Sequence, residues 1–279
     1  MKSYFVFATL VTCALTLSVF ANDPKPETAE ASVEASASPI SAEPLVKSGS
    51  AERVPLDTFL AQLNESRLQV EPLNSYSAVL IMREIVNGRA REPELVDLKL
   101  RQQPFGVYMR WKSSSQEALF VEGENDDRLI VRPSNGLAAI RRVWKIAPDS
   151  KMALQSARYP ITEIGLFNLC DRIIKFYDGL PADREGIICE RDAGKLNGMD
   201  VATFHVTFPS RELSPEYSRC CYSIDLSTNY LVHVENYAWD VKDNPLELYS
   251  YHTITKIQDP GSAMFDHANP EYGFVATAK

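Results

Sequence analysis

The spacing of apolar positions changes three times along the chain, and each change marks a switch in the kind of element. Leu56, Phe59, Leu60 and Leu63 follow Pro55 at helical spacing, which predicts a short helix with one apolar stripe to lay on a sheet. Strand-like runs come next: Tyr76 to Val86, Leu95 to Gln103, Phe105 to Trp111, Ala118 to Glu122, Leu129 to Arg132 and Ala138 to Ile146. Asn87-Gly88 lies at the first break between runs; both residues accept positive φ, so the flanking strands read as antiparallel neighbours. Helical spacing returns from Thr162 to Asp178, where Leu166, Phe167, Leu169, Cys170, Ile173, Ile174 and Tyr177 cover a broad face before Gly179-Leu180-Pro181. A face that wide must be buried on more than one side. The strand period then resumes in Ile187 to Arg191, Met199 to Phe208, Arg219 to Leu226, Tyr230 to Trp239 and Leu246 to Ile257, with Asn197-Gly198 as a second hairpin turn.

Within the strands, alternation assigns faces. Phe204, Val206 and Phe208 oppose Thr203, His205 and Thr207, a dry face against a wet one. Tyr76, Ala78, Leu80 and Met82 alternate instead with Val79, Ile81 and Ile85, so both faces of that strand need cover. The fold class that follows is mainly β (α+β): a large curved antiparallel sheet or open half-barrel with an N-terminal helix and one central helix. Such a curl can enclose an apolar cavity, and a filled core meets the same pattern.

The first 50 residues are of another kind. Lys2 precedes an apolar run from Tyr4 to Ala21 that ends Val19-Phe20-Ala21, the pattern of an export signal over residues 1–21. The run is also long enough for an uncleaved membrane anchor. Residues 22–50 are rich in Ala, Ser, Pro and Glu and hold no aromatic side chain, which predicts a disordered linker unable to offset its ordering entropy. Residues 51–279 are then a single β-rich globular domain, in an extracytoplasmic, periplasmic-type location. The formal net charge is −8, the wrong sign for general nucleic-acid binding, which releases counterions through Lys and Arg.

Candidate chemistry is sparse. The sequence carries no Gly-x-Ser-x-Gly, His-Glu-x-x-His, phosphate-binding Gly loop or Cys-x-x-Cys, so no catalytic residue, cofactor or metal site is assigned. A surface metal site would need His205 and His233 on adjacent strands with Glu235, and an enzyme would need Glu84, His205 and Glu235 to converge in one cleft. Four cysteines follow the signal. In an oxidising compartment a disulfide would join Cys189 to Cys220 or Cys221, or to Cys170; a simple meander would put a strand between Cys189 and the 220–221 pair, and buried free thiols are the alternative.

A likeness to a known family rests on ordered matches. Arg83-Glu84 and Asn87-Gly88, Leu98-Lys-Leu100, Pro104 to Trp111, and Val121-Glu-Gly123 are followed by Pro160 to Gly165, Ile224-Asp225 and Tyr237-Ala-Trp239. Tyr249-Ser-Tyr251, Phe265-Asp266 and Asn269 to Phe274 complete the series. From Tyr76 to Phe274 the chain resembles the domain-of-unknown-function 1571 family of exported bacterial proteins, associated with planctomycete-type bacteria. The resemblance implies an extracytoplasmic location and no activity that can be carried to residues. Its element order is similar to the lipoprotein-carrier half-barrel, an open sheet with helices over an apolar concavity. The sequence departs from the family's usual tail at Pro260 to Phe265, a candidate lid.

The leading expectation is a non-enzymatic envelope protein that binds an apolar ligand, a lipid or the acyl chain of a lipoprotein, in a curved-sheet cavity. Its expected wall is Leu80, Met82, Val107, Met109, Leu166, Phe167 and Ile173. The alternative is a cell-envelope interaction or structural module without a cavity, adding an edge strand to other envelope proteins. In both readings the membrane is met only transiently or through the anchor.

Overall fold

The computed structural model describes residues 46–47, 50–133, 143–241 and 244–274. The expected signal lies outside these residues, as do 22–45 and 48–49 of the expected linker and 138–142 of the expected strand Ala138 to Ile146. Within that linker stretch Val46–Lys47 form a short strand, β1. After β2 (Glu52–Arg53) comes the helix α1 (Leu56–Val70), carrying its apolar stripe on through Val70. Then follow β3 (Ser75–Val86), β4 (Arg89–Ala90), β5 (Glu94–Arg101), β6 (Gly106–Trp111), β7 (Glu117–Val121), β8 (Leu129–Arg132) and β9 (Trp144–Ile146). The second helix, α2 (Leu166–Asp178), precedes β10 (Ile188–Leu196), β11 (Met199–Thr207), β12 (Tyr217–Asp225), β13 (Leu231–Ala238) and β14 (Glu247–Lys256).

Among the described residues every strand pairing is antiparallel, in one open curved sheet ordered β1-β10-β11-β12-β13-β14-β3-β5-β6-β7-β8-β9, with β2 on β10 and β4 on β3. Two meanders meet at a seam where the last strand, β14, joins the first long one, β3. Asn87 and Gly88 both have positive φ, 52° and 72°, as the hairpin from β3 requires. The expected helix over 162–178 starts later, because Ile161–Glu163 form a separate short turn and Gly165 stands at φ 112°. A Cβ on Gly165 would come within 2.5 Å of Leu100, so only glycine fits there.

Register confirms the face assignments. Tyr76, Leu80 and Met82 of β3 oppose Leu100, Val96 and Glu94 of β5 and, on the other side, residues of β14 including Tyr251 and Tyr249. This inner face carries both helices. Phe59 of α1 stacks on Tyr222 at 4.6 Å between ring centroids, with Phe204 and Tyr177 at 5.3 and 5.6 Å. Ser66 of α1 touches Cys170 of α2 and accepts a hydrogen bond from the Leu231 amide at 2.7 Å. The broad apolar face of α2 is thus shared between sheet and α1.

The outer face is covered at one end by the C-terminal segment. Tyr272 stacks on Tyr108 with 3.8 Å between centroids, Phe265 packs against Gly106, and the Gly273 amide donates to Glu117 at 2.7 Å. Pro260 to Phe265 is therefore no lid: it leads into this outer strap, away from the concavity. The cysteines stand unbridged here: Cys189, Cys220, Cys221 and Cys170 are buried and form no disulfide. Cys189 faces Val206 of β11, and Val206 faces Cys220 of β12; two strand spacings of about 4.8 Å exceed the Cα separation a disulfide spans.

Because Phe59 is fully buried among three rings, Phe59→Ala should cost about 3–5 kcal/mol in urea unfolding. Leu68→Ala, on the exposed side of the same helix, should stay within about 0.5 kcal/mol.

Candidate ligand cavity

The two helices cover only part of the inner face. The amide of Leu166 donates to the Tyr76 hydroxyl at 2.8 Å and that of Gly165 to the Tyr251 hydroxyl at 3.2 Å. With no capping side chain at Gly165, these two tyrosines meet the first donors of α2 and fix where the helix begins. Beyond that point neither α1 nor the apolar face of α2 covers the floor formed by Met82, Met109, Trp111, Ala118 and Val131. The connection from Pro148 to Ile164 crosses it instead, and a cavity of about 250 Å³ remains between them. Trp144 and Ile146 of β9 close one side, and Met152, about half exposed, stands at the rim.

Of the expected wall, Met82 and Met109 line this cavity. Leu80, Val107 and Leu166 are fully buried in the packed core and Ile173 nearly so. Phe167 lies at the core's margin, its ring 4.4 Å from the Arg67 guanidinium. The difference has a simple cause: α2 packs on the inner face around Leu166 and Ile173, while the cavity lies beside Met82 and Met109. Trp111, Trp144, Met152 and Tyr159 were not anticipated as wall. Trp111 carried a signal, sharing the strand parity of Met109; the loop residues carried none.

One end of the cavity is polar. Glu84 continues the inner row of β3 and faces Glu247 of β14 across the seam. Arg158, from the crossing connection, joins them: its amide donates to Glu84 at 3.1 Å and its Nε to Glu247 at 3.1 Å, and it also pairs with Glu216. Glu247 accepts further hydrogen bonds from Tyr217 at 3.0 Å and Asn236 at 2.6 Å, and Glu84 accepts one from Tyr249. Burial pushes the Glu84 carboxyl above its ordinary range, against the pull of the Tyr249 and Arg158 donors. Burial works against charge on Arg158, but Glu247, Tyr159, Tyr217 and Glu216 together outweigh it and leave the guanidinium more basic than usual. Arg172, from the middle of α2, lies against the ring of Tyr159 at 3.8 Å and that of Tyr249 at 5.2 Å. Arg172 did not stand out in the sequence, where helical spacing sets it beside Asn168, Asp171 and Lys175 on the polar side of the helix.

The groups weighed as catalytic do not converge. Glu247 faces both Glu84 and Asn236, so Glu84 belongs to the inner face and Glu235, the neighbour of Asn236, to the outer. His205, which faces Cys221 and through it Glu235, is outer as well. There His205 meets Asp192 at 3.1 Å and Cys221 at 3.2 Å, while His233 meets Glu235 at 3.5 Å. Among the described residues no group of three or more His, Cys, Asp or Glu could hold a metal ion, and no helix is long and apolar enough to cross a membrane.

A protein-family model described as "Protein of unknown function (DUF1571)" matches residues 73–274. No curated protein matches the chain. Among solved structures, it is similar to lipoprotein LppX of Mycobacterium tuberculosis, with 13% identity over 74% of this chain and 99% of that one at a TM-score of 0.42. It is also similar to a DUF1329 family protein from Desulfovibrio piger, 12% identical over 77% and 98% of the two chains at 0.37. A LolA superfamily protein from Nitrosomonas europaea shares 11% identity over 76% and 98% at 0.29.

Since the folded pKa of Glu84 is raised above its ordinary value of 4.5, ionising it costs the folded state as pH rises through the raised value. In paired unfolding curves, Glu84→Gln should gain stability relative to wild type as pH climbs above 4.5, then level off. Arg158→Met strands Glu247, whose side chain is 1% exposed, and should lower unfolding free energy by about 3–5 kcal/mol.

Proposed function

This chain belongs to the DUF1571 family of proteins of unknown function, and we propose that it is an exported, non-enzymatic envelope protein that binds a lipid or a lipoprotein acyl chain in its inner-face cavity. The observation that carries this reading is a mainly apolar space of about 250 Å³ roofed by the connection from Pro148 to Ile164. An apolar cavity of about 150 Å³ accepts a benzene-sized ligand, so this one suits a single chain of roughly ten carbons. At about 0.8 kcal/mol per buried CH₂, such a chain gains roughly 8 kcal/mol before the costs of association. The size favours one chain at a time over the several chains of a whole lipoprotein anchor.

Two further features support binding over the alternatives. The inner and outer placement of Glu84, His205 and Glu235 separates the groups that acid/base chemistry would use together. Strand addition finds little free edge among the described residues: β1 and β2 already pair with β10, and β9 at the other end has only three residues. An interaction module would need a longer open edge.

Trp111 and Trp144 both line the cavity, so titration with decanol should change tryptophan emission saturably. Ala118→Phe, which extends a ring from the floor into the space, should weaken that binding at least about 10-fold, a difference of 1.4 kcal/mol. Unchanged emission in wild type, with no decanol retained in native mass spectrometry, would overturn the proposal.

A further inference from the structure

The polar end of the cavity holds two arginines with different surroundings. The side chain of Arg158 is fully engaged, by Glu247 at 3.1 Å, by Glu216 and by the Ile85 carbonyl at 3.3 Å. Arg172 also lines the cavity, yet among the described residues its guanidinium makes no hydrogen bond and no ion pair with a carboxylate. Its neighbours are the faces of Tyr159 at 3.8 Å and Tyr249 at 5.2 Å. Ring faces attract a cation and fix its plane without using its N–H donors. Arg172 is thus a partly buried, oriented cation with its donors unspent, and leaving such donors unmatched in a confined site is unfavourable.

Resting on the proposed binding of a single apolar chain, we propose that the ligand is an anionic amphiphile whose oxyacid head, a carboxylate or a phosphate, sits on the Arg172 guanidinium while its chain lies along Met82 and Met109. The guanidinium offers a planar fork that matches a carboxylate or phosphate edge with two parallel hydrogen bonds. The carboxylates at this end already have partners: Glu247, which also favours charge on Arg172, and Glu216 pair with Arg158, and Glu84 accepts from Tyr249 and the Arg158 amide. A neutral lipid would leave the donors of Arg172 as they are. Because Tyr159 and Tyr249 already hold the side chain, little rotamer freedom is lost on binding.

The test compares decanoate, decyl phosphate and decanol, which share a chain, through tryptophan emission at pH 8. Wild type should bind decanoate or decyl phosphate at least 10-fold more tightly than decanol, and the tighter of the two identifies the head. Arg172→Met should bring the anion-to-alcohol ratio to about one. Arg172→Lys, which keeps the charge but not the fork, should retain several-fold preference, and it serves if Arg172→Met does not fold. Equal binding of anion and alcohol by wild type overturns the inference while leaving chain binding intact. So does a preference that survives Arg172→Met or disappears with Arg91→Gln at the rim. Failure of all three ligands to bind overturns the proposed function itself.

Discussion

Two carboxylates, Glu84 and Glu247, stand opposite each other on the inner face at the strand pair that unites the two meanders. Like charges directly opposed across antiparallel strands are unfavourable, and both side chains are buried. Arg158 resolves the conflict by hydrogen bonding to both. In doing so it pins the connection before α2 to the seam of the sheet. The roof of the cavity is thus placed by electrostatics at one point, and its apolar residues follow. Tyr217 and Asn236 satisfy the remaining lone pairs of Glu247, the condition under which a buried ion pair is tolerated.

The second anchor is the start of α2, where the Tyr76 and Tyr251 hydroxyls receive the helix's first free amides. These tyrosines come from β3 and β14, the strands that carry the two carboxylates. One seam therefore positions both the helix and the connection leading to it. The helix axis then runs over β12 and β13, where Tyr177 and Tyr222 meet Phe59. What is left uncovered is the end of the sheet between Met82 and Ile146, and the cavity lies there.

Strand parity separates the functions of the two faces. Asp192, His205 and Cys221 are linked by short contacts, with Glu235 facing Cys221 in register, but this row lies across the sheet from the cavity. The aromatic tail adds its own small core on that outer face through Tyr108, Phe265, Tyr272 and Phe274. Neither feature can contribute a side chain to the inner-face site.

Periodicity alone located the helices, the described strand runs and the faces of β3 and β11, because those depend on neighbours two to four positions away. The hairpin turns at Asn87-Gly88 and Asn197-Gly198 were equally local. The cavity wall was only partly legible. Met82 and Met109 were anticipated, whereas Leu80, Val107, Leu166 and Ile173 share the same apolar parity yet lie in solid core. Which inner-face residues border empty space depends on where α2 comes to rest, and that is set by hydroxyls and carboxylates from strands far apart in sequence. The meander order likewise kept Cys189 from Cys220, a separation the conditional sequence argument foresaw but could not decide. Local pattern determines which face a side chain takes; only the long-range joining of β14 to β3 decides what stands opposite it, because that pairing brings Glu84, Arg158 and Glu247 into one buried cluster.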